Sequence, residues 1–405
     1  MTIELESADF VRALGRVGRV IERRNTIPTL TTTRLRQTPD GLTLSATDLD
    51  LQIDARVAAE TNGSDLDQLL QQPAHVAKAV KASGAERVQL ANGDGRIRLH
   101  GGGLVLDLPA LPPEDLPALE VADGAAARWS GTLGADAVHA IRRVSGAAST
   151  EETRYYLNGV YIEADRDWGM RAVATDGHRL YVAPFQVPDA AGDLPGIIVP
   201  HKTVRELLQL AGRDRAVSMR VAPKVRRNDD GTAQMLTDQA GADHIALDVH
   251  DIGVGLASKL IDGNFPEYQR VIPSAVATTA TFDRGQLARA VASVRAGAGG
   301  GRAEAIHLEP GPDNVCRLSC RWSLIDAEAA MPVPFEGSAR TPFGISGRYL
   351  AEALERFAGC DRVTLQFGDD VRDPGGDSFK QITGPIKVVS PEDDAFLAVV
   401  MPMRI

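Results

Sequence analysis

The sequence predicts an α+β fold built as three tandem copies of one unit, each with two helices and roughly eight strands over roughly 130 residues. Three observations carry this. Stretches that alternate apolar and polar residues, 42–53 above all, are strands with one buried face. Apolar residues spaced as Phe10, Leu14, Val17 and Ile21 put one apolar stripe on a helix. The same order of strand, helix, strands, polar link, second helix and strands then recurs twice, and Ala174, Thr175 and Asp176 lie over Ala46, Thr47 and Asp48.

In the first copy, residues 2–6 alternate as a strand and residues 7–24 form the first helix. Arg12, Arg16, Arg19 and Arg23 repeat the apolar spacing two residues on, about 200° round the helix, and Arg24 follows. One face is core and the opposite face is a row of guanidinium groups. Strand 33–37, a turn at Pro39, Asp40 and Gly41, and strand 42–53 come next. A second helix over 73–83 carries Lys78 and Lys81, and strands follow at 87–90, 96–99 and 104–108. Pro109, Pro112, Pro113, Pro117 and the run from Asp123 to Ala127 close the block.

The second copy has a strand at 129–133 and a helix at 135–144 with Arg142 and Arg143. Strand 156–162 precedes stretch 170–180, which matches 42–53. A Pro/Gly link over 184–196 leads to a helix at 201–210 with Lys202 and Arg205. The third copy starts near Thr279, with a helix at 284–295 that includes Arg289, a strand at 315–320, a link at 332–342 and a helix at 347–357. Domain limits of 1–124, 125–274 and 275–405 follow. Residues 226–242 and 369–377 are long exposed loops by composition. The chain ends in a buried strand at 395–400, which Pro402 stops because it has no N–H to give. Met401 and Met403 are then either core or the flexible lining of a groove that accepts varied partners.

The 405 residues, 43% apolar and 24% charged, are those of a soluble multidomain protein, with no run long enough to span a membrane. The N-terminus is a strand and not a signal peptide. Cys316, Cys320 and Cys360 lack the companions of a zinc site, so buried thiols in a cytoplasmic protein are expected. No metal, cofactor or catalytic constellation is evident. Net charge is −10, yet basic residues gather on the helices, so the acidic excess lies on strands and loops. Glu352 and Glu355 offset the basic residues of the last helix. A basic helix surface in an acidic shell holds duplex DNA by its phosphates. With 5% aromatic residues and few side chains for reading bases, such binding is indifferent to sequence.

Four motifs in order resemble the bacterial sliding clamp, the beta subunit of DNA polymerase III: Arg154-Tyr155-Tyr156-Leu157-Asn158-Gly159, Ala174-Thr175-Asp176-Gly177-His178-Arg179-Leu180, the run from Leu260 to Tyr268, and Val400-Met401-Pro402-Met403-Arg404. The resemblance covers the whole chain. It implies a head-to-tail dimer forming a ring of six units, helices inside and sheets outside, with no catalytic activity. It implies that the ring encircles duplex DNA, is placed by a clamp loader, and tethers the DNA polymerase III alpha subunit and other proteins carrying a clamp-binding motif. The implied partner groove comprises Leu157, Thr175, Gly177, His178, Arg179, Leu180, Pro266, Arg270, Val271, Val399, Val400, Met401, Pro402, Met403 and Arg404. Arg12, Arg16, Arg19, Arg23, Arg24, Lys78, Lys81, Arg142, Arg143, Lys202, Arg205 and Arg289 face the DNA. At the dimer seam, Leu106 and Leu108 meet Ala292 and Ser293, smaller and more polar than the family's contact, and Glu151 and Glu152 put acid near the hole. Asp176 and His178 could suggest a DNA-binding enzyme, but Thr47 and Asp48 repeat the Thr-Asp pair without His, as a shared structural turn would. The alternative is a clamp-derived interaction hub that no longer encircles DNA.

Overall fold

The computed structural model describes residues 2–22, 26–62, 65–117, 119, 127–167, 169–227, 233–236, 242–297, 305–322, 327–368, 371–372 and 381–403. Arg23, Arg24 and Arg404 lie outside these residues. The chain forms two compact units, residues 1–138 with 186–261 and residues 139–185 with 262–405.

An antiparallel sheet of fifteen strands runs through the first unit. It crosses from the first copy to the second where Leu51–Val57 pairs with Val254–Lys259, Ile53 opposite Leu256. In the second unit, Arg179–Phe185 of the second copy pairs with Asp393–Val400 of the third in the same way, Leu180 opposite Val399. Each of these boundaries is thus one strand pair of a continuous sheet.

The helices are α1 (Ser7–Val17), α2 (Pro73–Ser83), α3 (Ala135–Ser145), α4 (His201–Ala211), α5 (Arg284–Gly297) and α6 (Gly347–Arg356). α1 packs against α2, and α5 against α6. The expected run of α1 to residue 24 is too long. Gly15 and Gly18 weaken its last turn, and Arg19 and Val20 donate one residue closer, to the Arg16 and Val17 carbonyls. Val20 fills the core from this turn, 1% exposed.

Other expectations are corrected. Residues 42–53 are not one strand but a hairpin of Gly41–Thr47 and Leu51–Val57. The strand expected at 156–162 starts at Gly159, after the 3-10 turn Glu152–Leu157. The link expected at 332–342 begins inside the strand Ala327–Gly337. Phe335 donates to the Asn314 carbonyl. Strand nitrogens alternate in direction, so those of Pro334 and Pro332 face the opposite edge, where no N–H is required. Within 226–242, Ala233–Leu236 pairs back onto Val217–Arg227. Within 369–377, Val371–Arg372 pairs with Gln381–Ile382, and the other residues of both stretches outside these strands lie almost wholly beyond the described ones. Pro402 does end the last long strand, but Pro402–Met403 then pairs with Phe343–Ser346.

Candidate functional site

The turn after the first hairpin strand is the same in two copies. The Thr47 hydroxyl accepts from Leu49 N–H at 3.0 Å, and Asp48 Oδ1 accepts from the N–H groups of Asp50 and Leu51 at 3.0 and 2.8 Å. Thr175 accepts from Gly177 at 3.1 Å, and Asp176 Oδ1 from His178 and Arg179 at 2.9 and 3.0 Å. The Thr-Asp pair is therefore a structural turn, and His178 is an exposed addition stacked 6.2 Å from Tyr349. Gly177 sits at φ +87°, and a Cβ there would lie 2.8 Å from Arg154 Nη1. Gly177→Ala is expected to cost about 1–2 kcal/mol, seen as a lowered midpoint in urea.

This second turn borders an apolar cleft of about 180 Å³ lined by Leu157, Thr175, Gly177, Arg179, Leu180, Pro266, Glu267, Tyr268, Val271, Val399 and Met401. Nine of these were expected. The cleft owes its shape to the strand pair between the copies, which sets Leu180 beside Val399, and to the Met401 N–H, which donates to the His178 carbonyl at 2.9 Å. Of the other expected residues, Val400 is fully buried in the core. Arg270 is exposed and paired with Glu267. Pro402 and Met403 are half-buried against Phe343–Ser346.

Tyr268 and Glu267 were not foreseen as lining. Tyr268 is 3% exposed and packs with Val173, Leu180, Val182 and Val399. Its hydroxyl donates to Glu163 at 2.5 Å. Burial first, and this hydrogen bond second, raise the Tyr268 pKa above its ordinary value. Tyr161, stacked 4.6 Å from Phe265, is pushed up to about 12 by burial and by Glu163. Both hydroxyls stay protonated, and of the two only Tyr268 lines the cleft, where it adds an uncharged side chain.

Arg179 is 5% exposed and ties the turn to its surroundings. It donates to Asp176 at 3.2 Å, to the Gly146 carbonyl at 2.6 Å and to Glu352, and its guanidinium lies 4.7 Å from the centre of the Tyr349 ring.

The basic residues are less uniform than the expected row. Arg12 stays exposed on α1, 2.7 Å from Asp9. Arg16 donates to the Ile252 carbonyl at 3.0 Å, with its pKa lowered by burial and then by Arg12. Arg19 pairs with Glu206 at 2.5 Å, and Glu206 is buried. Lys78, Lys81, Arg205 and Arg289 are exposed. Arg142 is half-buried, and Lys202 pairs with Asp48. Arg143 is held by Asp393 at 2.6 Å and lies 3.9 Å from the Phe396 ring centre. At the expected seam, Leu106 and Leu108 are half-exposed on Leu104–Leu111, and Ala292 and Ser293 are exposed on α5.

Residues 1–120 match the family described as DNA polymerase III beta subunit, N-terminal domain, and residues 135–267 match its central domain. A beta sliding clamp of Caulobacter vibrioides is 32% identical over 421 aligned positions that span all of both chains. The chain belongs to the bacterial beta sliding clamp family. A solved Caulobacter crescentus clamp superposes with a TM-score of 0.83 at 30% identity, covering 100% of this chain and 99% of that one. A clamp from Bartonella birtlesii gives 0.82 at 25% identity, with both chains fully covered. Sliding clamps are non-enzymatic processivity factors in DNA replication. Among the described residues, no group of three or more His, Cys, Asp or Glu is placed to hold a metal ion in this clamp, and no helix is long and apolar enough to cross a membrane.

Proposed function

We propose that this clamp closes as a head-to-tail dimer of three-domain chains around duplex DNA in the cytoplasm, with domains at 1–124, 125–274 and 275–405. The observation that carries this reading is a pair of unmatched strand edges. At both internal boundaries, the last strand of one copy pairs with the second hairpin strand of the copy before it. The last strand of the first copy, Leu104–Leu111, pairs along one edge with Arg96–Gly101, but on the other only Ala110 and Leu111 have partners among the described residues. In the third copy, Ala327–Gly337 pairs with Val315–Trp322, and among the described residues its other edge is taken only from Phe335 onward. Each lacks what the other offers, so two chains close by using both edges. Val105 at 62% exposed and Met331 at 37% exposed fit edges awaiting cover.

The exposed Arg12, Lys81, Arg205 and Arg289 contact phosphates without reading bases in this reading. The apolar cleft takes short partner segments from the DNA polymerase III alpha subunit, the clamp loader and other proteins with a clamp-binding motif. Its flexible Met401 and apolar walls suit several related peptides. After loading on a nicked circular duplex, the protein is expected to stay bound through gel filtration and to leave once the circle is linearised. Equal release from both forms would leave an interaction hub that does not encircle DNA. Binding without a loader is expected to be weak and to fall steeply with salt.

A further inference from the structure

Two charged staples close each copy boundary inside the chain. The first lies at the end of the first helix. Residues 13–17, 140–144 and 290–294 run Ala-Leu-Gly-Arg-Val, Ala-Ile-Arg-Arg-Val and Ala-Val-Ala-Ser-Val. The first, second and fifth residues of each are buried, so the fourth occupies one equivalent place on α1, α3 and α5. At that place Arg16 donates to the Ile252 carbonyl, in the turn before the last strand of the second copy. Arg143 pairs with Asp393, at the start of the last strand of the third copy. In α5 the place is taken by Ser293.

The second staple is the sixth residue of the second helix. In α4 this is Glu206, which accepts Arg19 of the first copy, and in α6 it is Glu352, which accepts Arg179 of the second. In α2 it is Lys78. The two helices that depart from the pattern, α2 and α5, belong to the two copies that carry the unmatched strand edges.

We propose that the joint between two copies of this chain repeats the plan of the internal boundaries with both staples removed, and that residues 78 and 293 thereby make it the joint that separates. The proposal rests on the head-to-tail reading above and adds to it a residue-level reason for where the assembly opens. A serine cannot reach the partner's last hairpin as the two arginines reach theirs. A lysine at position 78 supplies a cation where the internal boundaries supply a carboxylate, buried at Glu206 and half-buried at Glu352. The joint then depends on backbone pairing and on the side chains of its two strands, with neither staple to place on closing.

The test restores one staple. Ser293→Arg and Ser293→Gln are made in the full-length protein, at an exposed position of a helix, and two fluorescently labelled populations are mixed to follow subunit exchange. Ser293→Arg is expected to slow exchange by about tenfold, the effect of one charged hydrogen bond. The slowing is expected to fade as salt rises, and Ser293→Gln to give much less. Arg143→Ser, at an internal boundary, is expected to lower the melting temperature and leave exchange unchanged. Exchange of Ser293→Arg at the wild-type rate, or equal slowing by Arg and Gln, overturns the proposal. Sedimentation of the wild-type protein tells the two readings apart. A monomer at micromolar concentration sinks the head-to-tail dimer and this proposal together, whereas a dimer whose exchange ignores Ser293→Arg sinks the staple proposal alone.

Discussion

Phe396→Ala is expected to destabilise the second unit by about 3–5 kcal/mol, measured by urea unfolding. Phe396 is 1% exposed on the last long strand. Its ring centre is 5.0 Å from that of Phe357 on the segment after α6 and 5.8 Å from that of Tyr181 on the neighbouring strand. Truncation removes a full aromatic side chain from between two elements that the backbone holds apart, so little collapse can fill the void. Arg143 also loses the ring beneath its guanidinium while keeping Asp393. Phe396→Leu keeps most of the volume and is expected to cost about 1–2 kcal/mol. A loss below about 1 kcal/mol for the alanine variant would mean that this boundary is not packed as a core. The consequence is functional as well as structural, because the strand that Phe396 anchors carries Val399 to the cleft and leads into Met401.

What the sequence made legible follows from which signals are local. α2 begins and ends as expected because Pro73 opens it and Gly84, at φ +67°, ends it. α1 was overextended because its apolar and arginine spacing continues through a turn that only Gly15 and Gly18 mark. The hairpin within 42–53 was missed because alternation persists across it and its positive-φ residue is Leu49, a residue type that signals no turn. In the second copy Gly177 occupies that place and marks it. The strand Ala327–Gly337 was hidden by Pro332 and Pro334, which are breakers except along an edge whose nitrogens face away from the pairing strand. Most of the cleft was legible because its residues cluster in or beside four short motifs. Tyr268 stood inside one of them, and its aromatic ring beside Phe265 was the signal that could have placed it in the floor. The fate of the arginines was not legible. Arg19 and Glu206 are 187 residues apart, and nothing near either announces the other. Spacing therefore assigned Arg16 and Arg19 to a solvent-facing row, and Arg143 joined them as a basic residue on the equivalent helix, where the fold uses all three to hold copies together.

Deleting residues 401–405 is expected to weaken binding of a polymerase-derived tail peptide by about 2–4 kcal/mol, measured by calorimetry, the range of losing a hot spot. The deletion removes the Met401 side chain from the cleft and the N–H that ties the strand end to the His178 carbonyl. It also removes the pairing of Pro402–Met403 with Phe343–Ser346, so a small loss of stability accompanies it. Met401→Ala separates the two effects. It keeps the backbone hydrogen bond and the pairing, removes only the thioether arm, and is expected to cost about 1–2 kcal/mol in affinity with stability unchanged. The strand itself survives the deletion, because Val399 and Val400 are buried and paired with Leu180 and Arg179. The proposed seam lies on other residues, Leu104–Leu111 and Ala327–Gly337, so the dimer is expected to persist. Unchanged affinity in both variants would assign Met401 and Met403 to packing alone. Loss of the dimer on deletion would mean that the chain end braces the third copy against its neighbour. The cleft would then stand as a by-product of that bracing, with Leu157, Pro266 and Val271 left to be tested one by one for any contact with a partner.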